Sequence, residues 1–160
     1  MRLIIAAIGR LKGGPERDLY ERYAGRIGAM ARQSALGPLT LIELAESRAG
    51  SAAARKADEA RRLIEKSSAA EARIALDERG NALTSAAFAE LLRSRRDAGT
   101  ADFAFLIGGA DGHGEAALAA ATLRLSLGAL TLPHGLARIV LAEQIYRAQT
   151  ILAGHPYHRE

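Results

Sequence analysis

The chain has 160 residues, of which 49% are hydrophobic and 25% charged, the size and mix of a single globular domain. Its longest stretch without Asp, Glu, Lys or Arg is the 13 residues 125–137, shorter than the ~20 apolar residues of a membrane-spanning helix. The absence of cysteine excludes disulfides, thiolate zinc sites and iron–sulfur clusters. The first eight residues read as a strand and not as a signal peptide, so we expect one domain, residues 1–160, located in the cytoplasm.

The charge balance is weakly basic, with a net charge of +4 at pH 7. Only three of the 22 basic residues are Lys, and the planar guanidinium group of Arg suits bidentate contacts with phosphate. Aromatic residues make up only 4% of the chain, too few for a platform on which several bases could stack. Charge alone therefore leaves two interpretations open, nucleic-acid binding and an ordinary solvated surface.

Hydrophobic periodicity predicts five strand-and-helix pairs. In chain order the predicted elements are a strand over 2–8, a helix over 16–33, a strand over 39–44, a helix over 52–67, a strand over 72–77, a helix over 85–96, a strand over 102–107, a helix over 115–122, an apolar run over 125–132 and a helix that ends near 152. Ser51 and Thr84 are placed to cap the second and third helices, and Pro133 suits the first turn of the last one. Residues 78–81 read as a turn. The alternation predicts an α/β domain with a mostly parallel sheet and a ligand site at the carboxyl ends of its strands.

Two segments are candidates for contact with a ligand. Residues 108–114 contain four glycines in seven positions, which indicates either close approach of a ligand to the backbone or tight turns without a ligand. This loop does not match a nucleotide-binding glycine motif. Residues 127–134 are small and mostly apolar, so they could present bare backbone groups to the edge of an adenine, although a buried strand would have the same composition.

The C-terminal part combines a strongly apolar helix with a polar tail. Apolar residues cover more of the helix circumference than one core face needs, which predicts contact with a partner subunit. Glu143 and Arg147 lie four positions apart and can form either a surface ion pair or a charged pair at that seam. The tail 154–160 is either a disordered remnant or a segment held in place for use. Its two His are too few for a zinc site, whereas proton transfer and phosphate contact suit its residues.

Taken together, these segments resemble the RlmH (YbeA) family of SPOUT-class methyltransferases. The matching features, in chain order, are a first strand that ends in Gly9, Ala75–Gly80, Leu106–Gly112, Leu130–His134, Val140–Ala148 and the ending His155–Glu160. The resemblance covers essentially the whole chain. It implies a single SPOUT-type α/β domain with a mostly parallel sheet, a deep C-terminal trefoil knot and assembly as a homodimer, in place of a plain doubly wound sheet.

The resemblance also implies an activity. The family methylates N3 of a pseudouridine in 23S ribosomal RNA of the assembled ribosome, with S-adenosylmethionine as the methyl donor and with no metal and no membrane involved. Such a transfer needs alignment of the nucleophile, the methyl group and the sulfur, together with a base for the N3 proton. Two alternatives remain: a ribosome-binding protein that has the fold without catalysis, and a SPOUT methyltransferase that acts on another RNA.

Carried over position by position, the family's site residues form two groups. The implied cofactor contacts are Leu76, Gly108, Leu127, Gly128, Ala129, Leu130, Thr131 and Leu132. The implied catalytic residues lie in the tail: His158 takes or relays the N3 proton, while Arg159 and Tyr157 hold the target base or its phosphates. Further candidates for contacts with RNA or a second subunit are His134, Arg138 and Arg147.

Overall fold

A computed structural model describes residues 1–157 of the chain. Over these residues strands and helices alternate strictly, as the hydrophobic pattern predicted. In chain order the elements are β1 (Arg2–Ile8), α1 (Pro15–Ser34), β2 (Leu39–Leu44), α2 (Ala52–Lys66), β3 (Ala72–Ala82), α3 (Ser85–Asp97), β4 (Asp102–Ile107), α4 (Glu115–Ala120), β5 (Leu123–Ser126) and α5 (His134–Leu152). None of these helices is long and apolar enough to cross a membrane.

The strands form one five-stranded sheet in the order β2-β1-β4-β3-β5, and every neighbouring pair is parallel. In the middle of the sheet, Leu3 of β1 lies opposite Leu39 on one side and Phe103 on the other. The prediction of an α/β fold with a parallel sheet is therefore confirmed. Because all strands run in the same direction, their carboxyl ends lie along one edge, where open α/β sheets bind ligands.

Helices cover both faces of the sheet, so all six residues of β4 are buried. Side chains alternate between the two faces along a strand. Phe103 and Phe105 therefore belong to the core shared with α1, α3 and α5, whereas Leu106 packs with α2 and α4. α5 contacts both α1 and α3. This packing within one chain accounts for much of the wide apolar circumference of α5 without a second subunit.

Both predicted helix caps are present. The side chains of Ser51 and Thr84 accept hydrogen bonds of 3.1 Å from the backbone N–H groups of Ala54 and Ala87, respectively. These bonds satisfy donors that have no partner within the first turn of a helix. Pro133 immediately precedes α5 as its N-cap residue, where its missing N–H removes no helical hydrogen bond.

The predicted turn at residues 78–81 is wrong, because β3 continues to Ala82. β3 pairs with β5 on both sides of a register shift, so that Leu125 lies opposite both Leu76 and Asn81. The two strands approach so closely that a Cβ atom on Gly80 would lie 2.6 Å from the carbonyl carbon of Arg124. Turn propensity at 78–81 is overridden by pairing with a strand that is distant in the chain.

The apolar run 125–132 is not one buried strand. β5 ends at Ser126, and residues 127–133 form an irregular segment that leads to α5. α4 also ends earlier than predicted, at Ala120. The Thr122 backbone N–H donates to the carbonyl of Arg73 over 2.8 Å. Thr122 is therefore bonded to β3 and not to the preceding turn of α4. Apolar composition alone did not reveal where the sheet stops.

Candidate functional site

A cleft of about 710 Å³ lies at the carboxyl edge of the sheet. Four parts of the chain form most of it: the end of β3, the loop after β4, the segment at the end of β5 and after it, and the start of α5; Lys56 of α2 and Leu118 of α4 complete the lining. These parts are far apart in sequence and meet here because parallel strands place their carboxyl ends together. The volume lies within the range of small-molecule and cofactor sites.

Seven of the eight implied cofactor contacts line this cleft. They are Leu76, Gly108, Leu127, Gly128, Leu130, Thr131 and Leu132. Ala129 belongs to the same segment but is exposed and does not line the cleft. The structure thus brings together residues that the sequence separates by more than 50 positions. The assignment of these residues to a cofactor remains a prediction.

The segment after β5 is exposed in large part and is not a buried strand. Leu130 is 81% exposed, which excludes the interpretation of residues 127–133 as a buried strand. The Ser126 hydroxyl donates to the carbonyl of Gly128 (2.9 Å) and accepts from its N–H (3.2 Å), forming a compact turn at the end of β5. Gly128 has a φ of +136°, a backbone conformation that side chains rarely allow. This turn directs the chain out of the sheet and along the cleft.

The glycine-rich loop after β4 is a tight turn that also forms one wall of the cleft. The Gly112 N–H donates to the carbonyl of Gly109 over 3.0 Å. A Cβ atom on Gly108 would lie 3.1 Å from the carbonyl carbon of Gly112, closer than such contacts normally are. The two interpretations of this loop are therefore compatible, because the glycines that close the turn also place no side chain into the cleft at positions 108, 109 and 112.

His113 is a cleft residue that the sequence analysis did not assign to the site. Its side chain is 92% buried, and its Nε2 atom lies 3.0 Å from the carbonyl oxygen of Leu76. Its Nδ1 atom is buried without a hydrogen-bond partner in residues 1–157. Burial lowers the pKa of His113 below its usual range, so the neutral ring donates from Nε2. His113 thereby connects the loop after β4 with the end of β3, the two walls that contain Gly108 and Leu76.

Charged side chains surround the rest of the cleft. Lys56, Asp77, Glu78, Arg79 and Asp111 all contribute to its lining. Asp77 accepts a hydrogen bond of 2.8 Å from the backbone N–H of Arg79, within the irregularity of β3 between Leu76 and Asn81. In residues 1–157, no group of three or more His, Cys, Asp or Glu could hold a metal ion.

An ion pair ties the glycine-rich loop to α2. Arg55 of α2 lies 2.7 Å from the carboxylate of Asp111 and also donates to the carbonyl of Ala49, which precedes the helix. The guanidinium of Arg55 holds the pKa of Asp111 below its usual range. Through α2, these contacts link the loop after β2 with the loop after β4.

His134 and Arg138 differ in their access to the cleft. His134 lines the cleft at the start of α5, and its Nε2 would lie 3.0 Å from a Cβ atom on Gly9, whose φ is +84°. The Arg138 side chain is fully buried and donates to the carbonyls of Ile8 (2.5 Å) and Gly9 (2.8 Å). The suggestion that Arg138 contacts RNA or a partner subunit is therefore wrong. Its role is to donate hydrogen bonds to the backbone carbonyls at the carboxyl end of β1.

Of the three implied catalytic residues, only Tyr157 is among the described ones; His158 and Arg159 lie outside them. Tyr157 does not line the cleft. Its hydroxyl lies 3.2 Å from the Glu143 carboxylate, which also accepts hydrogen bonds of 3.0 and 2.7 Å from Arg147. The predicted pair of Glu143 and Arg147 is thus present on α5.

Tyr157 contacts α5 at Glu143, at a distance along the helix from the residues of α5 that line the cleft. His134 lines the cleft, and Glu143 follows it by nine residues on the same helix. That separation corresponds to about 13 Å along the axis and about half a turn around it. Tyr157 is therefore not placed beside the cleft of its own chain.

Comparison with known proteins supports the resemblance found in the motifs. A family model described as "Predicted SPOUT methyltransferase" matches residues 1–158. A protein of Xanthobacter autotrophicus, named ribosomal RNA large subunit methyltransferase H, is 50% identical over 159 residues, which cover 99% of each chain. Proteins of the same name from Nitrobacter winogradskyi (48% identical) and Brucella anthropi (50%) match over the same extent. The motifs, the parallel α/β fold and these matches together show that the chain belongs to the RlmH family of SPOUT methyltransferases.

Proposed function

We propose that the protein transfers a methyl group from S-adenosylmethionine to N3 of a pseudouridine, position 1915 of 23S rRNA. The observation that carries this proposal is the cleft at the carboxyl edge, which seven of the eight implied cofactor contacts line. Full-length relatives at about 50% identity are named as methyltransferases of large-subunit ribosomal RNA, which supports the same substrate class. We accordingly expect the protein to act in the cytoplasm, where ribosomes are.

The chemistry of the lining residues suits S-adenosylmethionine. Leucine side chains and unshielded backbone groups suit an adenosine, whose base can bond to N–H and C=O groups. The carboxylates of Asp77 and Glu78 suit the positive sulfonium and amino groups, and the ammonium of Lys56 suits the carboxylate of the methionine part. The hydrogen bond from His113 to the carbonyl of Leu76 holds the loop after β4 against the end of β3.

The reaction requires alignment and one proton transfer. Bound S-adenosylmethionine would supply an electrophilic methyl group. N3 of the pseudouridine forms the new N–C bond while the C–S bond breaks, and S-adenosylhomocysteine leaves. In the proposed mechanism His158 accepts the N3 proton, and Arg159 holds the RNA through its fixed positive charge.

We further propose that the protein works as a homodimer with a trefoil knot in its C-terminal half, and that the tail of one protomer serves the cleft of the other. The position of Tyr157 supports the exchange of tails, because it contacts Glu143, which lies about half a turn around α5 from the cleft-lining His134. The exposed Leu130 and Leu136 are apolar surface that a second protomer could cover.

The proposed substrate is the assembled ribosome. Residues 1–157 form one α/β sandwich around a single sheet, without a separate RNA-binding domain. Recognition must therefore use surfaces that the folded target presents. We expect ribosomes to be methylated much faster than a free stem-loop, and equal rates on both would contradict this part of the proposal.

The decisive experiment measures transfer of labelled methyl from S-adenosylmethionine to ribosomes that lack the modification, followed by mapping of the labelled nucleotide. Wild-type protein should label N3 of the proposed pseudouridine, and His158→Ala should reduce turnover while cofactor affinity stays nearly unchanged. Label at another nucleotide would indicate a different RNA target. Absence of cofactor binding would favour a ribosome-binding protein without catalysis.

A further inference from the structure

We propose that Glu143 and Arg147 are positioning residues that hold the C-terminal tail through Tyr157, and that Tyr157 itself is an anchor and not a contact to the target base. The inference rests on the proposed function, in which the neighbouring His158 handles the N3 proton. Glu143, Arg147 and Tyr157, together with Tyr146, are called the tail anchor below.

The Glu143 carboxylate is the centre of the tail anchor. One of its oxygens accepts from Arg147 Nε (3.0 Å), from Arg147 Nη2 (2.7 Å) and from the Tyr157 hydroxyl (3.2 Å). The other oxygen accepts from the side-chain amide of Gln144 over 2.7 Å. A carboxylate with both oxygens bonded and 17% exposure of its side chain has a defined orientation. It therefore offers the tail a fixed acceptor.

The Tyr157 ring is held by two further contacts. It meets the ring of Tyr146 edge to face with centroids 4.7 Å apart, and the Arg147 guanidinium lies 5.2 Å from its centroid. Tyr146 is itself 8% exposed and packs against Tyr23 of α1. Tyr157 is therefore fixed to the α1–α5 layer through a chain of aromatic contacts.

These contacts favour anchoring over direct recognition of RNA. The hydroxyl of Tyr157 already donates to Glu143, and two side chains pack against its ring. Burial and the nearby Glu143 raise the pKa of Tyr157, so its hydroxyl remains a donor at neutral pH. A direct contact with the base would require this side chain to give up its present partners.

The anchor matters because His158 follows Tyr157 directly. Consecutive Cα atoms are 3.8 Å apart, so we propose that an anchored Tyr157 limits the reach of the proton acceptor that follows it in the chain. A free tail would sample many positions, and a misplacement of about 1 Å can reduce turnover by as much as a hundredfold. The tail anchor would thus supply the precision that a chain end normally lacks.

The test is a double-mutant cycle on ribosome methylation with Glu143→Ala, Tyr157→Ala and the combination. Each single variant should lower kcat by on the order of tenfold or more, while the KM for ribosomes and the affinity for S-adenosylmethionine stay nearly unchanged. The double variant should be no worse than the more severe single variant, because both remove the same anchor. Tyr157→Phe, which keeps the ring contacts, and Glu143→Gln, which keeps an acceptor, should each recover a large part of the rate.

A second readout does not depend on activity. Carboxypeptidase should release the C-terminal residues severalfold faster from Glu143→Ala and Tyr157→Ala than from the wild type. The matched control is Glu90→Ala, which removes an exposed ion pair with Arg93 on α3 and should leave the release rate unchanged. Glu143→Met, which keeps a side chain of similar length but has no carboxylate, serves if Glu143→Ala does not fold.

Three results would overturn the inference: additive losses in the cycle, a raised KM for ribosomes with Tyr157→Ala while Glu143→Ala is silent, or unchanged peptidase release in both variants. The second result would mean that Tyr157 contacts RNA directly. Failure of the wild type to methylate any ribosome would refute the proposed function instead, and peptidase release would then decide whether the anchor exists.

Discussion

Arg138 and His113 are the two buried side chains on which the carboxyl edge depends most. Arg138 joins the end of β1 to Glu43 of β2, since its Nη1 lies 3.3 Å from that carboxylate. Glu43 in turn accepts from the backbone N–H of Leu11 and from Arg17. Removing Arg138 would leave the buried carbonyls of Ile8 and Gly9 without this donor, while Glu43 would keep its bonds from Leu11 and Arg17. Residues remote from the cleft therefore maintain its shape.

Arg138→Met should destabilise the protein by about 2–4 kcal/mol, because two carbonyls lose their buried donor and Glu43 loses one of its three donors. The free energy of unfolding in urea measures the loss. The matched control is Arg32→Met, which changes an exposed residue at the end of α1 and should cost less than about 0.5 kcal/mol. Equal effects of the two substitutions would show that the buried network is not important for stability.

His113 should make stability depend on pH. Its pKa is lower in the folded protein than the ordinary value near 6.5, so the unfolded chain binds a proton more readily. Stability is therefore full above about pH 6.5 and declines as pH falls from there towards the lower folded pKa. His113→Gln, which keeps a donor for Leu76, should flatten this decline. Urea unfolding at several pH values between about 5 and 7 checks it, and an unchanged slope would contradict the assignment.

At the scale of elements, the important contact is the parallel pairing of β3 with β5. The register shift between Leu76 and Asn81 lets one strand pair on both sides of an irregularity. Gly80 permits this because the backbone of β5 occupies the space of a side chain. The same irregularity places Asp77, Glu78 and Arg79 on the lining of the cleft. β3, which joins the edge strand β5 to the sheet, thus also lines the cleft.

Gly80→Ala should destabilise the protein by more than about 1 kcal/mol, because the new Cβ would lie 2.6 Å from the backbone of β5. Gly28→Ala is the opposite control, since a Cβ there meets nothing within 4 Å in the middle of α1. It should stabilise the protein by about 0.5–1 kcal/mol through helix propensity. Thermal and urea unfolding of both variants measure the difference, and tolerance of Gly80→Ala would mean that β3 and β5 can separate.

At the scale of the whole molecule, the proposed homodimer predicts that the tail of one protomer serves the cleft of the other. Mixed dimers can answer it. His158→Ala leaves a cleft without a functional tail, and Thr131→Trp fills the cleft while leaving the tail intact. Neither variant should methylate ribosomes alone, and loss of cofactor binding confirms the effect of Thr131→Trp.

Mixing the two variants should restore up to half of the wild-type rate per mixed dimer, because such a dimer contains one complete pair of cleft and partner tail. If each tail served its own cleft, the mixture would stay inactive, since every chain would carry one defect. Sedimentation of the wild type tests the dimer itself. A monomer at the concentrations of the assay would contradict the exchange of tails.

Much of the fold was accessible from local patterns. The bounds of β1, β2 and β4, the caps Ser51 and Thr84, and the alternation of strand and helix all follow from periodicity and capping chemistry. Motifs that span the whole chain identified the family and named seven residues that the cleft brings together. Such features are determined by the sequence itself, because each depends on neighbours within one turn or one strand, or on residue identity.

Only the tertiary structure decided the rest. The extension of β3, the end of β5 at Ser126, the burial of Arg138 and the role of His113 all depend on partners that are distant in the chain. An Arg on a helix reads as a surface residue until two strand-end carbonyls are seen to require it. The sequence by itself determined the elements and the family, and the packing of distant segments decided which side chains reach the cleft, because hydrogen bonding and burial are settled between elements and not within them.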